Sequence, residues 1–221
     1  MSLQAEIEKA GFATVPRVLS EADLSSLCTL FASSSYGERN LLEIEEIRKL
    51  AVAQSVKFLA TSVLGHACFA VRAILFDKNA SDNWNVTWHQ DRVIAVKHRV
   101  NSDSLRGWSV KAGVHHVQPP AEVVREMLAL RLYLDDCGEG NGPLLVLPGS
   151  HNDFIGDDEL ETWKKREMVV CTAKRGDAIL MRPLILHSSA RSVQPHRRRV
   201  IHIEFASGDL PYGLEWHTKV A

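Results

Sequence analysis

The tetrapeptide Trp88-His89-Gln90-Asp91 sets an imidazole and a carboxylate two residues apart inside a β-rich run, residues 86–96. Side chains alternate along a strand, so His89 and Asp91 are expected on one face, where they fill two neighbouring vertices of a metal's coordination sphere. His187, in the later run Leu184-Ile185-Leu186-His187-Ser188, supplies a third donor. Two imidazoles and one carboxylate on one triangular face leave three positions open, an arrangement that suits non-haem Fe(II) and dioxygen chemistry. His-x-Asp alone is a weak pattern that surface pairs satisfy as readily. What strengthens it is Arg198, on a face that alternation assigns inward, because a guanidinium holds a carboxylate in bidentate fashion. Its neighbour Arg197 reads as a solvated basic turn, and His115-His116 as an exposed pair in a long loop.

The elements that must position these groups change character near residue 67. Before it, a short helix over 5–10 stops at Gly11, an extended piece follows over 12–18, and Ser20-Glu21-Ala22-Asp23 caps a helix to about residue 32. After a polar loop over 33–40, Leu41, Ile44, Ile47, Leu50, Val56, Leu59 and Val63 recur near helical spacing and predict one amphipathic helix up to Gly65. Beyond it, eight β-rich runs are expected at 69–76, 86–96, 127–134, 144–147, 168–171, 178–181, 185–188 and 198–205. Few helices separate them, which argues for an antiparallel jelly roll packed on the N-terminal helices, a mainly β fold with flanking helices. Residues 97–118 show no clear period and read as a lid or a disordered loop. Alternation puts Leu128, Leu130, Leu132 and Leu134 on one face and Arg131 on the other; it likewise separates Ile201, Ile203 and Phe205 from Arg198, His202 and Glu204.

The 221 residues, 45% hydrophobic and 24% charged, suit one domain, with a helical part over 1–66, a β core over 67–207 and a tail over 208–221 that covers the core or meets another subunit. A net charge of -1 argues against nucleic acid or an anionic membrane as partner. The acidic start and the absence of an apolar run near the ~20 residues of a membrane span predict a cytoplasmic protein. Four scattered cysteines without a Cys-x-x-Cys pair read as reduced and mostly buried.

Together these segments resemble the phytanoyl-CoA dioxygenase family of Fe(II)/2-oxoglutarate oxygenases, whose fold is a cupin-like double-stranded β-helix. The pieces are Trp88-His89-Gln90-Asp91, Asn141-Gly142-Pro143-Leu144, Leu147-Pro148-Gly149-Ser150-His151, Arg175-Gly176-Asp177-Ala178, His187-Ser188-Ser189 and Arg198-Arg199-Val200-Ile201-His202. The resemblance implies Fe(II) on His89, Asp91 and His187, 2-oxoglutarate as cosubstrate and dioxygen as oxidant. It further implies that Arg198 pairs with the distal carboxylate of 2-oxoglutarate, that Ser189 helps hold it, and that Arg131 lies close to the cosubstrate. Because Asp91 keeps the carboxylate that halogenases of the family lack, hydroxylation of a small molecule is the expected reaction. Substrate contacts are sought at Arg72, Lys111, His115, His116 and Arg131, and cavity walls at Trp84, Trp88 and Trp108. Two rivals stand beside this reading. A nucleic-acid demethylase would carry a second arginine where this chain has Glu204, and a cupin-type isomerase or small-ligand binding protein would use the same triad without 2-oxoglutarate.

Overall fold

In the computed structural model, residues 2–34 and 36–221 are described; Met1, from the acidic start, and Ser35, from the expected polar loop, lie outside them. Helix α1 (Leu3–Ala10) starts where the Ser2 side chain accepts from the Ala5 amide and ends on Gly11 at φ +85°, and α2 (Glu21–Leu30) opens on a Ser20/Asp23 capping box. The single helix expected up to Gly65 is instead a short 3-10 turn followed by α3 (Glu45–Val52) and α4 (Gln54–Leu64), broken at Ala53 with ψ 141°. The apolar stripe accounts for the break. Ile47, Leu50 and Ala51 are buried, and one more turn would turn Gln54 and Ser55 inward, so the chain rephases before Val56, Leu59 and Ala60.

The strands are β1 (Phe12–Val15), β2 (Tyr36–Glu38), β3 (Phe69–Lys78), β4 (Val86–His89), β5 (Ile94–Val96), β6 (Arg106–Lys111), β7 (Val114–Gln118), β8 (Met127–Tyr133), β9 (Leu144–Val146), β10 (Val169–Cys171), β11 (Ala178–Met181), β12 (His187–Ser189) and β13 (Arg198–Ala206). They form a six-stranded sheet ordered β1-β11-β8-β13-β3-β2, a four-stranded sheet β10-β9-β12-β4 and a small sheet β5-β7-β6, with antiparallel pairing throughout. The larger and smaller sheets share an apolar core that includes Tyr133, Met181 and Val200 from one and Leu144, Val146 and Cys171 from the other, a jelly roll that does not close into a barrel. As alternation requires, Leu128, Leu130, Leu132, Ile201, Ile203 and Phe205 pack on the helices.

Four further expectations change. The run 86–96 is two strands in different sheets, so Asp91 lies on the connection between them rather than on a strand with His89. The stretch 97–118 contains a hairpin: Ala112 and Gly113, both at positive φ, make the two-residue turn that joins β6 to β7. Within it His116 is buried at 2% exposure rather than exposed, its Nδ1 bonded to the Val114 carbonyl. Arg197, expected to be solvated, instead joins the end of α2 to the sheet: it donates to the Phe31 and Ala32 carbonyls and pairs with buried Asp77 at 2.7 Å. Asp77→Ala removes the carboxylate partner while Arg197 keeps its carbonyl contacts, and is expected to cost about 1–3 kcal/mol, read as a fall in the urea midpoint.

The C-terminal tail lies on its own sheets, with Val220 bridging to Ala70 and Trp216 to Val96. Cys68, Cys137 and Cys171 are buried, Cys28 is half-buried, and all four are free thiols. Among the described residues no helix is long and apolar enough to cross a membrane.

Candidate metal centre

His89 closes β4 and His187 opens β12, and the two are direct cross-strand partners with ring centroids 4.1 Å apart. Asp91 reaches the pair from the connection after β4, where its amide donates to the Pro183 carbonyl at 2.9 Å. Its Oδ1 lies 3.7 Å from His89 Nε2 and its Oδ2 3.7 Å from His187 Nε2, and one donor atom from each residue lies within 4.8 Å of the others. The convergence therefore comes from two neighbouring strands and a crossing segment, not from period-2 alternation along one strand.

Both imidazoles are oriented by backbone. His89 Nδ1 is 2.9 Å from the Thr87 carbonyl and His187 Nδ1 is 2.8 Å from that of Ile185. A carbonyl only accepts, so Nδ1 carries a proton in both rings and Nε2 is the atom turned toward Asp91. Burial, opposed by the Asp91 charge, pushes His187 down to about 4, so it is a neutral donor at neutral pH. Burial alone would raise the Asp91 carboxyl, but His187, His89, His202 and Arg72 outweigh it and hold the group well below the usual carboxylate range. An ionised carboxylate and two imidazoles that present Nε2 form a donor set that fits a divalent cation.

Gln90, between His89 and Asp91, is buried and fully engaged. Its Nε2 donates to the carbonyls of Leu184 at 2.6 Å and Asp153 at 2.8 Å, while its Oε1 accepts from the Ile155 amide at 2.9 Å and from Arg92 at 2.9 Å. This clamp fixes the crossing segment that carries Asp91. Gln90→Ala is expected to weaken metal binding about 10- to 100-fold, measured by competition with a chromophoric chelator.

Beside the triad is a cavity of about 130 Å³, room for far more than one water. Three strands in register lie beneath it: Arg198 opposes Lys78, Val200 opposes Phe76 and Tyr133, His202 opposes Ile74 and Arg131, and Glu204 opposes Arg72; Arg198, Lys78, Phe76, His202, Ile74, Arg131 and Arg72 line the cavity. At the Arg198 end, Arg198 Nη1 donates to the Gly142 carbonyl, but Arg198 Nε and Arg131 Nε are buried without a partner, as is Tyr133 Oη in the core behind them. Orphaned buried donors are costly unless a ligand satisfies them, and two guanidiniums fit a carboxylate. Lys78 Nζ donates to Ser189 Oγ at 3.0 Å and to the Ala190 carbonyl at 2.9 Å, and Ser189 Oγ donates to the Gly142 carbonyl at 2.9 Å. Burial, then the charges of Arg198 and Arg131, push Lys78 down to about 7.

All six residues singled out by motif (His89, Asp91, His187, Ser189, Arg131 and Arg198) line this one cavity. Lys78 and His202, which also line it, were not singled out. Alternation carried the signal for both: along 69–78 it groups Arg72, Ile74, Phe76 and Lys78, all four in the lining, and along 198–205 it groups His202 with Arg198. Of the tryptophans, Trp84 lines it, Trp88 packs against Leu147, Ile155 and Leu186, and Trp108 packs on the small sheet's core.

The model of the phytanoyl-CoA dioxygenase (PhyH) family matches residues 7–200, and the chain belongs to that family. Solved structures with the same fold include the epimerase SnoN in complex with Fe3+, alpha ketoglutarate and nogalamycin RO, at 16% identity and TM-score 0.71 over 99% of this chain and 93% of that one. AviO1 from Streptomyces viridochromogenes Tue57 is 22% identical, with TM-score 0.68 over 95% of each chain. EctD from S. alaskensis with bound Fe is 16% identical, with TM-score 0.72 over 99% of this chain and 84% of that one. No curated protein matches the chain in sequence.

Proposed function

We propose that this chain is an Fe(II)- and 2-oxoglutarate-dependent oxygenase that hydroxylates a small molecule. The observation that carries the reading is the juxtaposition of a two-histidine, one-carboxylate set with a cavity whose far end holds unpartnered, buried Arg198 and Arg131 donors. A cupin-type site working without 2-oxoglutarate shares the triad, and Arg198 would then hold some other anion, so 2-oxoglutarate binding separates the two readings.

In this reading His89, Asp91 and His187 hold Fe(II), and Arg198, with Lys78, Ser189 and Arg131, holds the distal carboxylate of 2-oxoglutarate. When bound, iron and 2-oxoglutarate supply the electrons that activate dioxygen for insertion into a C–H bond, with succinate and carbon dioxide as coproducts. The chain's own part is positioning. The Thr87 and Ile185 carbonyls accept from Nδ1 and so turn both Nε2 atoms toward Asp91, and Gln90 fixes the approach of Asp91. Residues 1–221 act as one catalytic unit, in which the 1–66 helices back the larger sheet and the 208–221 tail braces β3 and β5.

The test is succinate production from 2-oxoglutarate by the Fe(II)-loaded protein in air, which slow turnover without primary substrate makes visible; the reading requires it to vanish when Zn(II) replaces Fe(II). Lys78 adds a pH signature. Its ammonium is shed near 7 in the free protein and is favoured by a bound dianion, so binding 2-oxoglutarate at pH 8 takes up close to one proton, while binding at pH 6 takes up almost none. Calorimetry in buffers of different ionisation enthalpy measures that uptake, and Lys78→Met is expected to abolish it.

A further inference from the structure

The sheet that carries the Arg198 end has a second cationic point at its other end. Glu204, opposite Arg72, is six residues along β13 from Arg198, about 20 Å of strand, too far for a five-carbon cosubstrate to span both. Asp91 lies near this second end, since one donor atom each from Asp91, His202 and Glu204 lies within 4.8 Å of the others. Arg72 is thus on the substrate side of the metal centre rather than the cosubstrate side.

Its guanidinium is aimed. Arg72 Nε donates to Glu204 Oε2 at 2.9 Å and Nη2 to Glu204 Oε1, and Glu204 is further held by His202 Nε2 at 3.3 Å. Nη1 has no hydrogen-bond partner among the described residues, and the residue lines the main cavity and a smaller one beside it that contains His116. Glu204 balances the charge of Arg72 but leaves this directed donor free.

Two further cations, Lys111 and Arg39, lie within the electrostatic reach of Arg72. Lys111 ends β6, and the Asn40 side chain, next to Arg39, donates to the Ala112 carbonyl at 3.1 Å, which ties the Arg39 segment to the hairpin tip. Lys111 is pushed down by burial and then by the charges of Arg39 and Arg72, so the three cations sense one another's fields. The acid on the smaller cavity's rim is Glu43, which is exposed.

We propose that Arg72 anchors an anionic group, carboxylate or phosphate, of the primary substrate, with Lys111 and Arg39 as the cationic collar through which that anion enters. This rests on the oxygenase reading for what happens next, but the anion site is defined by its own residues. The division of labour follows from geometry: Arg72 supplies a fixed hydrogen bond, while Lys111 and Arg39 supply long-range attraction that salt screens.

The test uses the full chain under anaerobic conditions with Fe(II) and saturating 2-oxoglutarate, so that the Arg198 end is filled. Calorimetric titrations compare 4-phenylbutyrate with its neutral amide, and 4-phenylbutyl phosphate with its neutral alcohol. The two acids should bind at least tenfold tighter than their neutral partners, and whichever acid binds more tightly separates a carboxylate from a phosphate site. Because Arg72→Ala leaves Glu204 buried without its partner, the deciding variant is the pair Arg72→Met with Glu204→Gln, alongside Lys111→Ala. The double variant should lose the acid-over-neutral preference, and Lys111→Ala should flatten its salt dependence. A preference that survives in the folded double variant, or no preference in the wild type, overturns the proposal. Visible absorption of the same samples reports 2-oxoglutarate chelation independently, so a failed anion site and a failed oxygenase reading give different results.

Discussion

Asp91→Ala is expected to lower metal affinity by more than about 100-fold and to eliminate succinate formation while the protein stays folded. The carboxylate faces both Nε2 atoms at 3.7 Å and is the anionic member of the donor set, so its loss removes the electrostatic reason for a divalent cation to settle between the two imidazoles. Little else depends on it. The Asp91 amide keeps its bond to Pro183, Gln90 keeps its clamp, and the jelly-roll core does not include the side chain. A melting temperature within a few degrees of wild type, with the metal lost, is the combined result to look for. His187→Ala should behave alike for metal but cost more stability, because that ring is buried.

Arg198→Ala is expected to raise the dissociation constant for 2-oxoglutarate by about 100-fold, from the loss of charge-assisted hydrogen bonds worth roughly 1.5–3 kcal/mol each, and to leave metal affinity unchanged. The side chain is 2% exposed and its Nε is unpartnered, so the free protein gives up only the Nη1 bond to Gly142 and a weak contact to Cys137. Arg198→Lys separates charge from shape: it restores the charge without the planar fork and should recover only part of the affinity. Ser189→Ala should have a smaller effect, because its hydroxyl is already shared between Lys78 and Gly142. Equilibrium binding of 2-oxoglutarate to the Fe(II) protein without oxygen orders these variants.

How much of this was legible in the sequence depends on which force decided each element. Where burial alone decides, alternation sufficed: Leu128, Leu130 and Leu132 face the helices and Arg131 faces the cavity because the pleat leaves no other choice. Where a chain must change sheets it did not suffice. The run 86–96 has one continuous β-like character, yet the crossing at Asp91 is set by distant partners of Gln90, at Asp153, Ile155 and Leu184, that no local pattern contains. The hairpin within 97–118 was missed because Ala112, an unusual residue for positive φ, masks its two-residue turn. Arg197 was misjudged for a related reason: its partners, Asp77 and the end of α2, lie more than a hundred residues away. The triad itself was readable from residue types, although alternation along one strand was the wrong reason for its convergence.

The central claim, that the triad and the Arg198 end of the cavity together hold an iron–2-oxoglutarate chelate, is tested most directly by anaerobic titration of the metal-free protein with Fe(II) and then 2-oxoglutarate, followed by visible absorption. The account predicts a charge-transfer band that needs both additions, is absent in Asp91→Ala, and in Arg198→Ala appears only at much higher 2-oxoglutarate. Tight Fe(II) binding with no band at any 2-oxoglutarate concentration would contradict it.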